Sequence, residues 1–419
     1  MKEDLSMRST KINSTIIFND HIRNSHSGLS NSFLLTNILA NIGFTLFLIT
    51  IPIKVQADLF YYSNGIYPSF AIYRHIFYLV ALIFFAMAYI NVKKDKSGFV
   101  IIKNMSILSL IVLFQSFFLS ILQGKLPLIT IKNLYFMFSP VLLAYFVVNI
   151  LDEKRIARML KITFIFVIIQ YIHLKLPIIL TPSSFLEIDF MRSYSPFESS
   201  AFSGYFYGFM VYFTLVSKSR TFSILSVLFN ILIFKRLNVI FSIIFLMYSI
   251  FEIGSKKVNP LIRKGLIIFF IIVPVVEYFV VINPYHLNLI AQKIGFENVH
   301  GLVMGRDVFI NTVLNSGYES WGFGSMGERL NLLLGKKGIE FDSVQIFIEL
   351  GLIGCTVFPY FLWKSTTLNI AGITLMLVLF INISTSHQLT ESYTILFNFL
   401  TIFLLNKKMH MEREERMVN

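Results

Sequence analysis

The sequence predicts an all-α, polytopic integral membrane protein with about 12 transmembrane helices and one large, late loop on the outer side. Of its 419 residues 55% are hydrophobic and only 14% charged, with a mean hydropathy of +0.70; a soluble domain carries roughly 25% charged residues. The apolar residues fall in blocks of bilayer length, close to the ~20 residues that a helix needs to cross ~30 Å of hydrocarbon. Backbone groups in lipid must be satisfied internally, and the blocks are far longer than the ~10-residue alternating segments of an outer-membrane barrel, so helices are the expected form. At roughly 150 residues per domain the length alone would suggest about three soluble domains, but too little polar sequence remains to coat them.

In chain order, spans are expected at 33–53, 70–91, 99–122, 126–150, 156–176, 201–217, 221–234, 237–253, 264–282, 345–363, 369–384 and 391–405. A polar tail (1–32) precedes them. Residues 33–282 hold nine spans, 283–344 the large loop, 345–405 three further spans, and 406–419 a second tail. The first block starts near Phe33, too late for the apolar stretch of a cleaved signal peptide. Residues 221–253 are the least regular region, because Lys235 and Arg236 split what would otherwise be one long apolar stretch.

Charge sets the expected orientation. Lysine and arginine number 36 against 23 acids, a net charge of +13. In a soluble protein this would suggest nucleic acid; in a membrane protein it first reports cytoplasmic loops. With the N-terminus inside, 23 of the 36 basic residues fall on inner segments and 13 on the outer segments 54–74, 123–132, 173–200, 235–236 and 283–344. Both termini are then cytoplasmic, and no nucleic-acid partner is expected. The lone cysteine, Cys355, lies in an apolar block and excludes an intrachain disulfide. The 283–344 segment far exceeds an ordinary helix–helix connection of 2–8 residues. Its Trp321, Phe323, Leu330, Leu332, Leu333 and Leu334 argue for short amphipathic helices on the outer face.

Basic residues on the outside run against the positive-inside trend and mark candidate sites. Arg192 opens the stretch Arg-Ser-Tyr-Ser-Pro-Phe-Glu-Ser-Ser-Ala-Phe, Lys235 and Arg236 form a tight outer corner, and Arg306 follows Gly305 in the long loop. Arginine offers a permanently charged planar fork that matches phosphate oxygens. Several converging at an outer surface would suit a lipid-linked pyrophosphate; binding of anionic headgroups is the plainer alternative. Arg192, Lys235 and Arg236 are therefore expected to bind substrate, and Arg306 to act on the reacting phosphate. Asp342, directly before the tenth span, could accept a proton from a sugar hydroxyl, although an acid at a helix start is also favoured by the helix dipole.

Other motifs carry less. Gly322-Phe323-Gly324-Ser325-Met326-Gly327 spells a dinucleotide-type glycine pattern without the strand that such a site needs, so a turn-rich loop is expected. His286, Glu297 and His300 lack metal-ligand spacing, and neither a metal nor a cofactor is expected. Glu277, near the outer end of the ninth span, is expected to reach the interface. His75, His173 and His387 lie near outer span ends, none with a convincing partner in the sequence.

At these residues the chain resembles the O-antigen polymerases, and more broadly their superfamily with the O-antigen ligases. Asp342-Ser343-Val344-Gln345-Ile346-Phe347-Ile348-Glu349-Leu350-Gly351-Leu352-Ile353-Gly354 resembles the end of the family's long periplasmic loop and the helix that follows. Gly305-Arg306 with Gly322-Phe323-Gly324 resembles that loop's start and its glycine-rich middle. Arg192 through Phe202, and Lys235-Arg236, resemble shorter basic motifs at outer span ends. The family's ligases carry a histidine where Glu340 stands here, which favours a polymerase. The resemblance implies an inner-membrane glycosyltransferase of lipopolysaccharide or related polysaccharide biosynthesis, acting without a metal on an undecaprenyl-pyrophosphate-linked glycan. It also implies a chain-length regulator and a flippase as partners. The alternatives are a ligase acting on lipid A core, a transporter of lipid-linked sugars, and a membrane acyltransferase that would need a histidine placed to activate a hydroxyl.

Overall fold

A computed structural model describes residues 34–61, 63–90, 92, 98–189, 195–217, 219–233, 235–294, 305–335, 339, 341–387 and 389–418. Among these residues the regular structure is helical, with no named strand, and Lys257 and Asn369 form an isolated antiparallel bridge. Seven helices among the described residues are long and apolar enough to cross a membrane: α1 (Leu34–Tyr61), α2 (Ile72–Ile90, entered by the 3-10 turn Ser69–Ala71), α3 (Phe99–Leu122), α4 (Leu128–Ile150), α5 (Glu153–Ile179), α9 (Pro260–Ile282) and α13 (Asp342–Lys364).

Five further apolar blocks also form helices, of different proportions. These are α6 (Ser200–Tyr212, continuing as the π-helical turn Phe213–Ser217), α7 (Arg220–Leu232), α8 (Arg236–Phe251), α14 (Ile370–Thr385) and α15 (Ser392–Val418). A 13-residue helix such as α7 is only ~20 Å long, short of the ~30 Å hydrocarbon core. Helix α15 is long, but its second half is charged. The large loop contributes α10 (Pro284–Ile294), α11 (Arg306–Asn315) and α12 (Ser325–Leu334).

The chain forms two compact units, Met1–Lys94 with Asn149–Ile156, and Asp95–Val148 with Ala157–Asn419. In the smaller unit α1 and α2 run antiparallel, with Phe44 edge-on to Phe85 at 6.3 Å and Phe47 to Tyr78 at 6.2 Å. Beyond these rings Asp58 is buried and pairs with Lys54 and, at 3.8 Å, with Arg74.

The larger unit is organised around α13. Helix α9 runs antiparallel to it, with Tyr278 against Phe347 at 4.9 Å at one end and Phe270 against Trp363 at 5.8 Å at the other. Helix α3 is also antiparallel to α13. Near the start of α13, Gln115 donates to the Leu350 carbonyl at 2.7 Å; at its far end, Asn104 donates to that of Lys364 at 3.3 Å. The Leu350 carbonyl needs that donor because Gly351 leaves the helical region (φ 59°, ψ −151°), a conformation open essentially to glycine alone. Freed from the helical ladder in apolar surroundings, an unpaired carbonyl would cost about 1–3 kcal/mol.

Helix α6 packs parallel to α15. Gly204 faces Thr394, Tyr207 hydrogen-bonds Asn398 at 3.2 Å, and Gly208 faces the Phe397 ring. Helices α5 and α7 are antiparallel to α6, through Tyr171 against Phe202, Phe164 against Phe213, and Phe206 against Phe229. Helix α8 returns beside α7, where Asn230 donates to Ser242 at 2.8 Å. This arrangement gathers the C-terminal ends of α3, α5, α7, α9 and α14 with the N-terminal ends of α4, α6, α8, α13 and α15 at one end of the larger unit. The loop helices α11 and α12 pack there too, in an apolar cluster of Val281, Ile310, Val313, Met326, Leu330, Ile339 and Val344.

Candidate functional site

That shared end holds the polar chemistry. Asp342, the first residue of α13, is only 3% exposed. Its carboxylate does not cap its own helix. Instead Oδ1 lies 2.6 Å from His387 Nδ1, and Oδ2 accepts the Leu389 amide at 2.8 Å. The Asp342 amide donates to the Ser386 carbonyl at 3.4 Å. On the other side of the imidazole, His387 Nε2 lies 2.6 Å from Thr390 Oγ1. The His387 side chain is 38% exposed, so Asp342, His387 and Thr390 form a chain leading from a buried carboxylate to an accessible ring. The α13–α14 hairpin creates this contact, because α14 returns to the level at which α13 began.

A second cluster joins two stretches that the sequence marks separately. Glu198, just before α6, feels the charges of Lys235, at the start of α8, and of Lys175, near the end of α5. Burial raises the Glu198 carboxyl above its ordinary value, partly countered by Lys235 and then Lys175. Lys175 also donates to the Pro196 carbonyl at 2.8 Å, and Tyr171 to that of Phe197 at 2.8 Å. Because α6 and α15 are parallel, with residues 204 and 394 facing each other, the Glu198 segment and the 386–391 turn enter the bundle side by side.

A third group fixes the loop to the bundle. Glu349, 2% exposed on α13, accepts the amides of Gly324 and Met326 at 2.6 and 2.7 Å and the Gln345 side-chain amide at 2.9 Å. Gly322 and Gly324 both have positive φ, so the glycine pattern makes a turn whose amides grip a carboxylate. Thr130 and Ser120 hold the same turn by donating to the carbonyls of Phe323 and Trp321 at 2.9 and 2.6 Å. Burial and the adjacent Glu349 raise the Tyr318 hydroxyl, which lies 2.6 Å from Ser325 Oγ.

Of the residues expected to act, Asp342 and Lys235 lie at this end. Arg306 begins α11, half-buried, one turn before Ile310 in the cluster that also holds Val344. Arg236 is the first residue of α8. Arg192 lies outside the described residues, as do Glu297, His300, Lys336, Lys337 and Glu340. Several other basic residues expected on the outside have structural partners. Lys54 and Arg74 meet Asp58, Lys125 sits over the Trp321 ring at 3.2 Å, and Arg329 donates to Ser316. Glu277 accepts from the Ser343 hydroxyl across the α9–α13 contact. His387 has a partner that the sequence did not disclose. Among the described residues no group of three His, Cys, Asp or Glu side chains is placed to hold a metal.

No protein-family model matches the chain, and comparisons with curated proteins and with solved structures give no significant match.

Proposed function

We propose that the chain is a bacterial inner-membrane glycosyltransferase that polymerises undecaprenyl-pyrophosphate-linked oligosaccharide repeat units into O-antigen or a related surface polysaccharide. In this reading the chain crosses the membrane about twelve times, with both termini cytoplasmic and the 283–344 segment periplasmic. The short helices α6, α7, α8 and α14 cross within a locally thinned or protein-lined region. A chain-length regulator and a flippase are its partners. The observation that carries the reading is that Asp342, Lys235, Lys175 and Arg306 all belong to one end of the helical unit, the end on which the loop helices also pack.

The chemistry that suits this end is attack of an acceptor sugar hydroxyl on the anomeric carbon of the donor, with departure of undecaprenyl pyrophosphate. Pyrophosphate leaves readily, so the protein chiefly holds its growing negative charge with fixed cations in a water-poor site. Arg192, Arg236 and Arg306 take that role, with Lys235 in support. The test is complementation. In a strain lacking its native polymerase, the chain should restore a ladder of polymer lengths, whereas glycan transfer to lipid A core without polymerisation would identify a ligase.

A second reading, acyl transfer, is favoured by the 2.6 Å contact between Thr390 Oγ1 and His387 Nε2, which has the form of a nucleophile beside its base. It requires a covalent acyl group on Thr390, which mass spectrometry of the trapped protein would detect.

A further inference from the structure

We infer that His387 is the general base of the proposed glycosyl transfer and that Asp342 is its positioning residue; this rests on the polymerase reading. Both Asp342 oxygens are engaged within the 386–389 turn, one on His387 Nδ1 and one on the Leu389 amide. The carboxylate is nearly sealed from solvent, whereas the imidazole is 38% exposed. The group that can meet an acceptor sugar is therefore the ring.

The geometry also selects the tautomer. A carboxylate accepts hydrogen bonds, so the Nδ1 facing Asp342 carries the proton and Nε2 presents a lone pair. Thr390 Oγ1 stands 2.6 Å from that lone pair, where an alcohol donates its proton. The Thr390 hydroxyl thus marks the position that an acceptor hydroxyl takes during the reaction. In the step, His387 Nε2 receives the proton of the acceptor O–H, and the acceptor oxygen forms a bond to the donor's anomeric carbon. The bond from that carbon to the pyrophosphate oxygen breaks, and its electron pair leaves with undecaprenyl pyrophosphate. Asp342 stabilises the imidazolium formed without itself taking the proton, the division of labour known from carboxylate–imidazole pairs in hydrolases.

The experiment uses the purified full-length chain and the lipid-linked repeat unit extracted from a strain that lacks its native polymerase. Polymer formation is followed against lipid concentration so that kcat and KM separate. His387→Gln keeps a similar size and polarity without a base, and should lower kcat about 10²-fold or more with KM nearly unchanged. Asp342→Asn should also lower kcat selectively, because an amide no longer fixes the tautomer. Added imidazole should partly restore His387→Ala and leave Asp342→Asn unaffected. A folded His387→Gln protein with near-normal kcat overturns the assignment. So does a covalent adduct on Thr390 found by mass spectrometry of the wild-type chain trapped with the lipid-linked repeat unit, which would make Thr390 the reacting group. If His387→Gln does not fold, full activity of Asp342→Asn overturns it instead. An inactive wild-type chain would sink the polymerase reading and this assignment together, whereas an active wild type beside an active His387→Gln sinks the assignment alone.

Discussion

The Glu349 carboxylate accepts the Gly324 amide at 2.6 Å, joining a helix of the bundle to a glycine turn 25 residues earlier in the chain. With the Met326 amide on its other oxygen, it is a buried tie between the loop helices and α13. Removing the carboxylate leaves two buried amides unpaired, each costing about 1–3 kcal/mol. Glu349→Ala should therefore lower the melting temperature in detergent and expose the 317–335 region to protease. An unchanged melt would show that the turn finds other acceptors.

The α6–α15 contact is set by a glycine. A Cβ on Gly208 would lie 2.3 Å from the Phe397 ring, so Gly208→Ala must separate the two helices or turn the ring. Overpacking of this kind typically costs about 1–3 kcal/mol. Because the same contact aligns the Glu198 segment with the 386–391 turn, polymer formation should fall together with thermal stability. Gly265→Ala, where nothing stands within 4 Å, should do neither.

Glu198 gives a pH signature. Its carboxyl is raised above the ordinary value of 4.5 by burial, against the pull of Lys235 and Lys175. The folded state therefore holds this proton more tightly than the unfolded chain. Its contribution to stability is complete below the unfolded value and declines as pH rises through the raised folded value. Glu198→Gln should flatten that part of the melting-temperature profile above pH 4.5. An identical profile in wild type and variant would refute the assignment.

The arginines separate a pyrophosphate clamp from headgroup attraction. At Arg192, Arg236 and Arg306, lysine keeps the charge and loses the bidentate fork, whereas lipid attraction needs only charge, about 1 kcal/mol per residue near the surface. With expression matched, the clamp predicts that each lysine variant polymerises poorly. Near-normal polymer from all three would reject it, and a defect at Arg306 alone would confine the site to the long loop.

Orientation is tested by reporter fusions at Lys336 and in the tail after Lys408. The 23-to-13 split of basic residues between inner and outer segments predicts opposite sides. Matching signals would overturn the topology.

Much of the helix order is legible in the sequence, because an apolar block bounded by polar residues is a local signal. Lys235 and Arg236 lie where α7 ends and α8 begins, and the 283–344 segment carries helices as its leucines suggest. Membrane-crossing length is harder to read, since the 13 residues of α7 look like their longer neighbours on a hydropathy average. The site is legible only in part. Asp342 stands out by its place before an apolar block, but His387 is 45 residues away and nothing local joins them. One topological signal was present: two consecutive antiparallel helices bring the start of the first beside the end of the second. The hold of Glu349 on the loop has no such signal, because the loop groups it grips are backbone amides and any residue supplies those.

The break at Gly351 separates two jobs within one helix. Asp342, Ser343, Gln345 and Glu349 lie before it and Cys355, Phe358 and Trp363 after it. In an unbroken helix, gaining or losing one residue turns everything beyond it by ~100°. Here the glycine interrupts that transmission, and the Gln115 side chain secures the Leu350 carbonyl at the break. The polar residues before the break therefore owe their aim to their own ties, Glu349 to the 324–326 amides and Asp342 to His387 and the Leu389 amide, and not to the register of the apolar piece beyond it.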